Sequence, residues 1–180
     1  MKKFLFLCAL ASLFILSACT TDTNSTVSTK TNICTLINTA DGESVIGSTF
    51  TTKEHDSLPE NDPVNGVYTT DCSFKGNTVK NSVNVIARLG ENADSMKAEF
   101  ESSRKQLEEP GMSGEGRKPE TVAGVGDQAH WTPAKGIVPG SLAVLKGKNI
   151  LYLTLDGFGS DNKVMLEKAK TFAVKMLEKL

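Results

Sequence analysis

The residues of this 180-residue chain best suited to chemistry are two histidines, one tryptophan and four cysteines. On an extended segment His130 alternates with Ala129 and Trp131, which turns its ring toward solvent or a groove. Asp127, three residues earlier, is placed to orient that ring as the acid of a hydrolase dyad. A Ser–His–Asp hydrolase would also need a poised serine, and no G-x-S-x-G elbow exists; the frame around Ser113 is Gly-Met-Ser-Gly-Glu. The residues therefore read less as a catalytic set than as a possible binding surface of Trp131, His130 and Asp127. Trp131 reads first as a core or rim residue covering a sheet edge, and a binding-surface role is the second reading for it. The second histidine, His55, lies among Glu54, Asp56, Glu60 and Asp62. Oxygen-rich loops can hold a cation, but this spacing is not that of a calcium loop, and a solvated acidic loop explains it better. No metal is expected. Gly124-Val125-Gly126-Asp127-Gln128-Ala129 fits the loose dinucleotide pattern G-x-G-x-x-A. That motif needs a hydrophobic strand before it and a helix after it. Here Pro119-Glu120 stands upstream and Trp131-Thr132-Pro133 follows, so a glycine turn leading into a strand is expected, and no cofactor.

The cysteines point elsewhere. Met1-Lys2-Lys3 is a short positive start, and Phe4 to Leu16 is an almost unbroken apolar run of 13 residues. That run suits a signal peptide and falls short of the roughly 20 apolar residues of a membrane span. Leu16-Ser17-Ala18-Cys19 then resembles the bacterial lipobox: a branched apolar residue, two small residues and a cysteine. Small side chains let the extended backbone enter a narrow peptidase cleft, and the cysteine sulfur accepts a diacylglyceryl group. Two or more acyl chains anchor stably, at ~0.8 kcal/mol per buried methylene. Thr20 rather than Asp after the cysteine favours the outer membrane in a host with two membranes. In a host with one, the domain would stand on the outer face of the plasma membrane. Residues 1–18 thus read as a lipoprotein signal peptide, and 19–31 as a lipidated cysteine followed by a polar tether. The tether spans roughly 20 Å on average and about 40 Å at full reach. Residues 32–180 form a single domain, large enough to bury a core.

Cys8 leaves with the signal peptide, so Cys34 and Cys72 remain for the domain. In an oxidising compartment a Cys34–Cys72 disulfide is the natural reading, with a reactive thiol or metal pair as the alternative. A zinc site would want more Cys and His, in close pairs.

Composition narrows the partners. The formal charge of −1 becomes −3 once Lys2 and Lys3 are lost, and no basic stripe appears. Nucleic acid is not an expected partner, because phosphate binding needs clustered Lys and Arg. The expected partners are the membrane, through the anchor on Cys19, and an envelope protein or small ligand.

Several elements must position these residues. Ile33 to Gly47 reads as a helix in two pieces, with Thr39 as an N-cap and Gly47 as the stop. Thr51 to Asn65 reads as a loop. Gly66 to Phe74 and Val79 to Leu89 alternate as strands of a hairpin turning at Lys75-Gly76-Asn77. Asn92 to Glu109 is an amphipathic helix with stripe Ala93, Met96, Phe100, Ser103 and Leu107, and with pairs Lys97/Glu101 and Glu101/Lys105 at i,i+4. Gly111 to Glu120 is a Gly-rich loop. Strands follow at Ala129 to Thr132, Ser141 to Lys146 and Asn149 to Asp156. A closing helix, Asp161 to Leu180, buries Met165, Ala169, Phe172, Met176 and Leu180. The order α-ββ-α-βββ-α, with tight hairpins, predicts an α+β fold: an antiparallel sheet of about five strands with helices packed on it.

A family resemblance adds to this. Cys34-Thr35-Leu36-Ile37 before a short helix ending in Gly47, a second cysteine on the first strand, and Val122 to Ala129 before a hairpin recur in small bacterial lipoproteins of unknown function, many of them actinobacterial. Some of these resemble the PsbP-like α/β/α sandwich. The resemblance implies that fold and an envelope role, and brings no catalytic residues with it. The expected function is a non-catalytic binding or accessory module on the membrane. The alternatives are a lipid or small-ligand carrier, with an apolar cavity between sheet and closing helix, and a hydrolase using His130.

Overall fold

The computed structural model describes residues 32–47, 49–54, 66–76, 81–109, 117–159 and 161–180. The expected signal peptide, Cys19, the expected tether, His55 with most of its acidic neighbours, the expected hairpin tip at Asn77 and residues 111–116 of the expected Gly-rich loop lie outside them.

Two short helices come first, α1 (Ile33–Leu36) and α2 (Thr39–Ile46). The N-cap of α2 is Asn38, one residue before the expected Thr39; its side chain accepts from Asp41 N. An asparagine carbonyl reaches that orphan donor as well as a threonine hydroxyl would. Gly47 ends α2 in the left-handed conformation, φ 71°, as expected. The strands β1 (Phe50–Glu54), β2 (Val67–Gly76) and β3 (Ser82–Gly90) follow, then α3 (Ala93–Glu108), β4 (Glu120–Thr121), β5 (Gln128–Thr132), β6 (Gly140–Lys146), β7 (Asn149–Asp156) and α4 (Asn162–Leu177).

The strands form one antiparallel sheet in the order β1-β2-β3-β7-β6-β5-β4. The α+β class holds, with seven strands where about five were expected. The two additional strands are the edges. β1 occupies the start of the expected Thr51–Asn65 loop. Its sequence, Phe-Thr-Thr-Lys-Glu, lacks apolar alternation, and its strand conformation comes from pairing with β2 across an irregular register. β4 is two residues long, too short for any periodicity to show.

Helices cover both faces of the sheet. On one face α4 buries Met165, Ala169, Phe172, Ala173 and Met176 over β6 and β7, in one core with Leu142 and Val144 of β6, Leu151, Leu153 and Leu155 of β7 and Val83, Val85 and Ala87 of β3. Phe172 meets Phe74 of β2 edge-on, with ring centroids 6.3 Å apart. On the other face α3 buries only Met96 and Phe100, over Ala143, Leu145 and Ile150. Met96 lies on the backbone of Gly90, where any Cβ would collide with it. The rest of the expected α3 stripe is not buried: Ala93 is exposed, and Ser103 and Leu107 are half-covered. The ion pairs also differ. Arg104 takes both Glu101 and Glu108, and Arg88 of β3 grips Glu99 through two nitrogens. Arginine's planar fork engages carboxylates better than the lysines first assigned to them.

A disulfide joins Cys34 of α1 to Cys72 of β2, across a Cα–Cα distance of 5.2 Å. The same junction is held by Ile33 N donating to Thr70 Oγ1 at 3.2 Å. Both cysteines are buried, so the bond is part of the larger core.

Candidate functional site

The three residues expected to make a binding surface do not come together. Successive strand residues face opposite ways, and here both faces are covered by helices, so neither ring of the His130–Trp131 pair reaches water. Trp131 belongs to the larger core, 1% exposed, its ring lying across the backbone of Gly140. Its Nε1 is buried with no hydrogen-bond partner. His130 is on the α3 side, 3% exposed, its ring tilted against Phe100 at 4.9 Å. Its Nδ1 is likewise buried and unpartnered. Burial pushes its pKa down to about 4; the nearby Arg104 guanidinium acts in the same direction, and Glu101 and Glu108 oppose it. The expectation that His130 faces solvent or a groove is therefore corrected: alternation ordered the side chains, but both sides of the strand are interior.

Asp127 is exposed and has a structural task. Its Oδ2 accepts from Gly147 N at 2.6 Å, and its own N–H donates to Leu145 O at 2.7 Å. It ties the turn before β5 to the β6–β7 turn. It does not bond His130 Nδ1, so the dyad of the hydrolase reading does not form. The glycine run before it is the turn that was expected. Gly124 and Gly126 have φ of 82° and 60°, and a Cβ on Gly126 would strike Val144 and the Leu145 carbonyl.

The space between sheet and α4 is filled by the side chains named above. The cavity beside Ile37, Asp41 and Phe172 holds about 10 Å³, room for about one water. Among the described residues no group of three His, Cys, Asp or Glu is arranged to hold a metal ion.

A different site lies at the end of the sheet where β5 passes into β6, β7 ends and α4 begins. The loop 133–139, Pro-Ala-Lys-Gly-Ile-Val-Pro, is pinned at its base from two sides. Arg117 Nη1 donates to Pro133 O and Pro139 O, both at 3.0 Å. Asn162, in the first turn of α4, accepts from Ala134 N at 2.6 Å and donates to Ala134 O at 3.2 Å. Above this base, Lys135 and Val138 exchange two backbone bonds of 3.0 Å. Gly136 has φ 61° at the first central position of the turn, the arrangement of a type II′ hairpin. The second central position is Ile137, 98% exposed. A single exposed isoleucine needs no explanation; one held on a braced turn beside a groove is different.

That groove, of about 280 Å³, lies between the loop and the residues after β7. Ile137, Val138, Pro139, Leu155 and Met165 supply its apolar wall, and Gly157 and Gly159 leave bare backbone along one side. Among the described residues its one charged lining residue is Asp156, an exposed carboxylate that makes no ion pair or side-chain hydrogen bond with any of them. The arrangement can bind, through an apolar wall and an anionic end; among its described lining residues no nucleophile is paired with a base. Sequence reasoning passed over it, although Ile137-Val138 between two prolines is an unusual composition for a connecting loop.

No family model matches the chain, and no curated protein matches it. Among solved structures the chain is similar to the extracellular domain of PknH from Mycobacterium tuberculosis, with a TM-score of 0.49 and 15% sequence identity over 80% of this chain and 94% of that one.

Proposed function

We propose that the chain is an envelope lipoprotein whose folded domain is a non-catalytic binding module, held on the membrane by lipid on Cys19 and presenting the groove beside Ile137 to a partner. The observation that carries the binding role is the braced tip: four hydrogen bonds from Arg117 and Asn162 hold an apolar side chain in water. Such preorganisation lowers the ordering cost of binding. The lipobox at Leu16 to Cys19 supports the anchor, and the Cys34–Cys72 disulfide suits an oxidising compartment. Helices on both faces of the sheet suit kinship with the PsbP-like lipoprotein sandwiches.

Two measurements on the full chain in its host test this. Cys19→Ala should abolish fatty-acid labelling and leave the uncut precursor. A photo-crosslinking residue at position 137 should yield one discrete adduct, with none from position 174, where Val174 is an exposed residue of α4. A mature chain without lipid ends the anchor reading. Equal labelling from both positions, or none from either, ends the binding reading.

A further inference from the structure

Resting on the binding role just proposed, we infer the chemistry of the partner: an extended polypeptide segment presenting a lysine or arginine side chain two residues from an aliphatic one. Three observations lead there. First, the groove's charge is of one sign. Among the described residues Asp156 is its one charged lining residue, and its carboxylate has no ion-pair partner among them, so a cation entering the groove displaces no ion pair they make. Second, the wall leading to Asp156 is aliphatic, formed by Val138, Pro139, Leu155 and Met165. A long side chain with a methylene stem and a charged tip matches that sequence of surfaces, since the stem can lie on apolar carbon while the tip reaches the carboxylate. Third, Ile137 stands 98% exposed at the rim, so apolar surface continues past the groove of about 280 Å³, and a matching occupant carries a second, aliphatic group to cover it. A polypeptide supplies both contacts from residues two apart, because neighbouring side chains of an extended strand diverge to opposite sides and the next but one returns to the same side. Gly157 and Gly159 leave the backbone of the partner free to approach.

The test uses the purified full chain and three capped pentapeptides, Val-Gly-X-Gly-Leu, with X as lysine, norleucine or glutamate. Norleucine keeps the stem and deletes the charge. Binding is followed by isotope-edited NMR at the amides of Ile137, Gly157 and Gly159. The lysine peptide should bind about fivefold more tightly than the norleucine peptide, the scale of one partly exposed charge pair, and the glutamate peptide most weakly. Asp156→Asn should erase the lysine preference while leaving norleucine binding unchanged. Ile137→Ser should weaken lysine and norleucine peptides alike, by about tenfold. Unchanged thermal melting of both variants shows that the fold is intact. Equal binding of lysine and norleucine peptides, or a lysine preference that survives Asp156→Asn, overturns the inference. So does failure of every peptide to bind. Co-sedimentation with phosphatidylglycerol vesicles, lost in Ile137→Ser and kept in Asp156→Asn, would assign the tip to a lipid surface instead and equally overturns it. An adduct from position 137 together with any of these failures leaves the binding role standing and removes only the cationic partner.

Discussion

Acidification should weaken this domain through His130, and the size of the effect can be worked from its surroundings. The folded state holds the ring at a pKa of about 4, against an ordinary value of 6.5, because the charged form would sit between the sheet and Phe100 without a hydrogen bond. An unfolded chain binds that proton from about pH 6.5 downward, whereas the folded chain resists it until about pH 4. Between those values the unfolded state carries more protons, so stability falls as pH falls. The contribution is fully present above pH 6.5 and gone once the pH is below 4. The depression corresponds to about 3.4 kcal/mol unscreened. Arg104 acts against Glu101 and Glu108, and all three heads are about a third or more exposed, so burial carries most of the shift; relaxation around a charged ring brings the expectation down to about 2 kcal/mol. The assay is urea unfolding of the wild type and of His130→Leu at pH 7.5, 6.5, 5.5 and 4.5. Carboxylates titrate in both proteins and cancel in the difference. The wild type should lose about 2 kcal/mol relative to the variant across that range. At pH 7.5 the variant should be of similar stability, since losing the Phe100 contact is offset by removing an unpartnered polar nitrogen. A difference that stays flat with pH would refute the claim that the ring is held neutral by burial.

Two further outcomes follow from the fold. Reducing the Cys34–Cys72 bond, or replacing both cysteines by serine, should cost about 4 kcal/mol on the chain-entropy model for a separation of 38 residues, read as a lower urea midpoint with reductant. Gly126→Ala should lower the melting temperature markedly more than Gly124→Ala. Both have positive φ, costing about 1 kcal/mol each, but only at Gly126 does the new methyl also strike Val144 and the Leu145 carbonyl.

Much of the architecture was legible because amphipathic alternation is strong where one face of an element is buried. The face of Val83, Val85, Ala87 and Leu89, that of Leu151, Leu153 and Leu155, and the stripe of α4 through Met165, Ala169, Phe172 and Met176 all lie where periodicity puts them. The disulfide was legible from cysteine arithmetic. What escaped has physical reasons. β5 and β6 are buried on both faces, so Gln-Ala-His-Trp-Thr and Ser-Leu-Ala-Val-Leu have no solvent side, and alternation misplaced His130. β1 exists by pairing rather than by pattern. The groove escaped because it is assembled from three stretches apart in sequence: Arg117, the loop 133–139, and the run from the end of β7 into the start of α4. None of them carries a motif by itself.

The disulfide also decides how the domain bears load. Any pull on the chain ahead of Asn32 reaches Cys34 within two residues and crosses covalently into β2, a strand paired on both sides. Tension therefore enters at Cys34 within α1 and bypasses α2 and β1, which lie inside the closed ring from Cys34 to Cys72, and these elements are spared from unravelling. The bond works as a strain relief at the point where the preceding chain enters its fold. A reduced molecule would instead peel from its first helix.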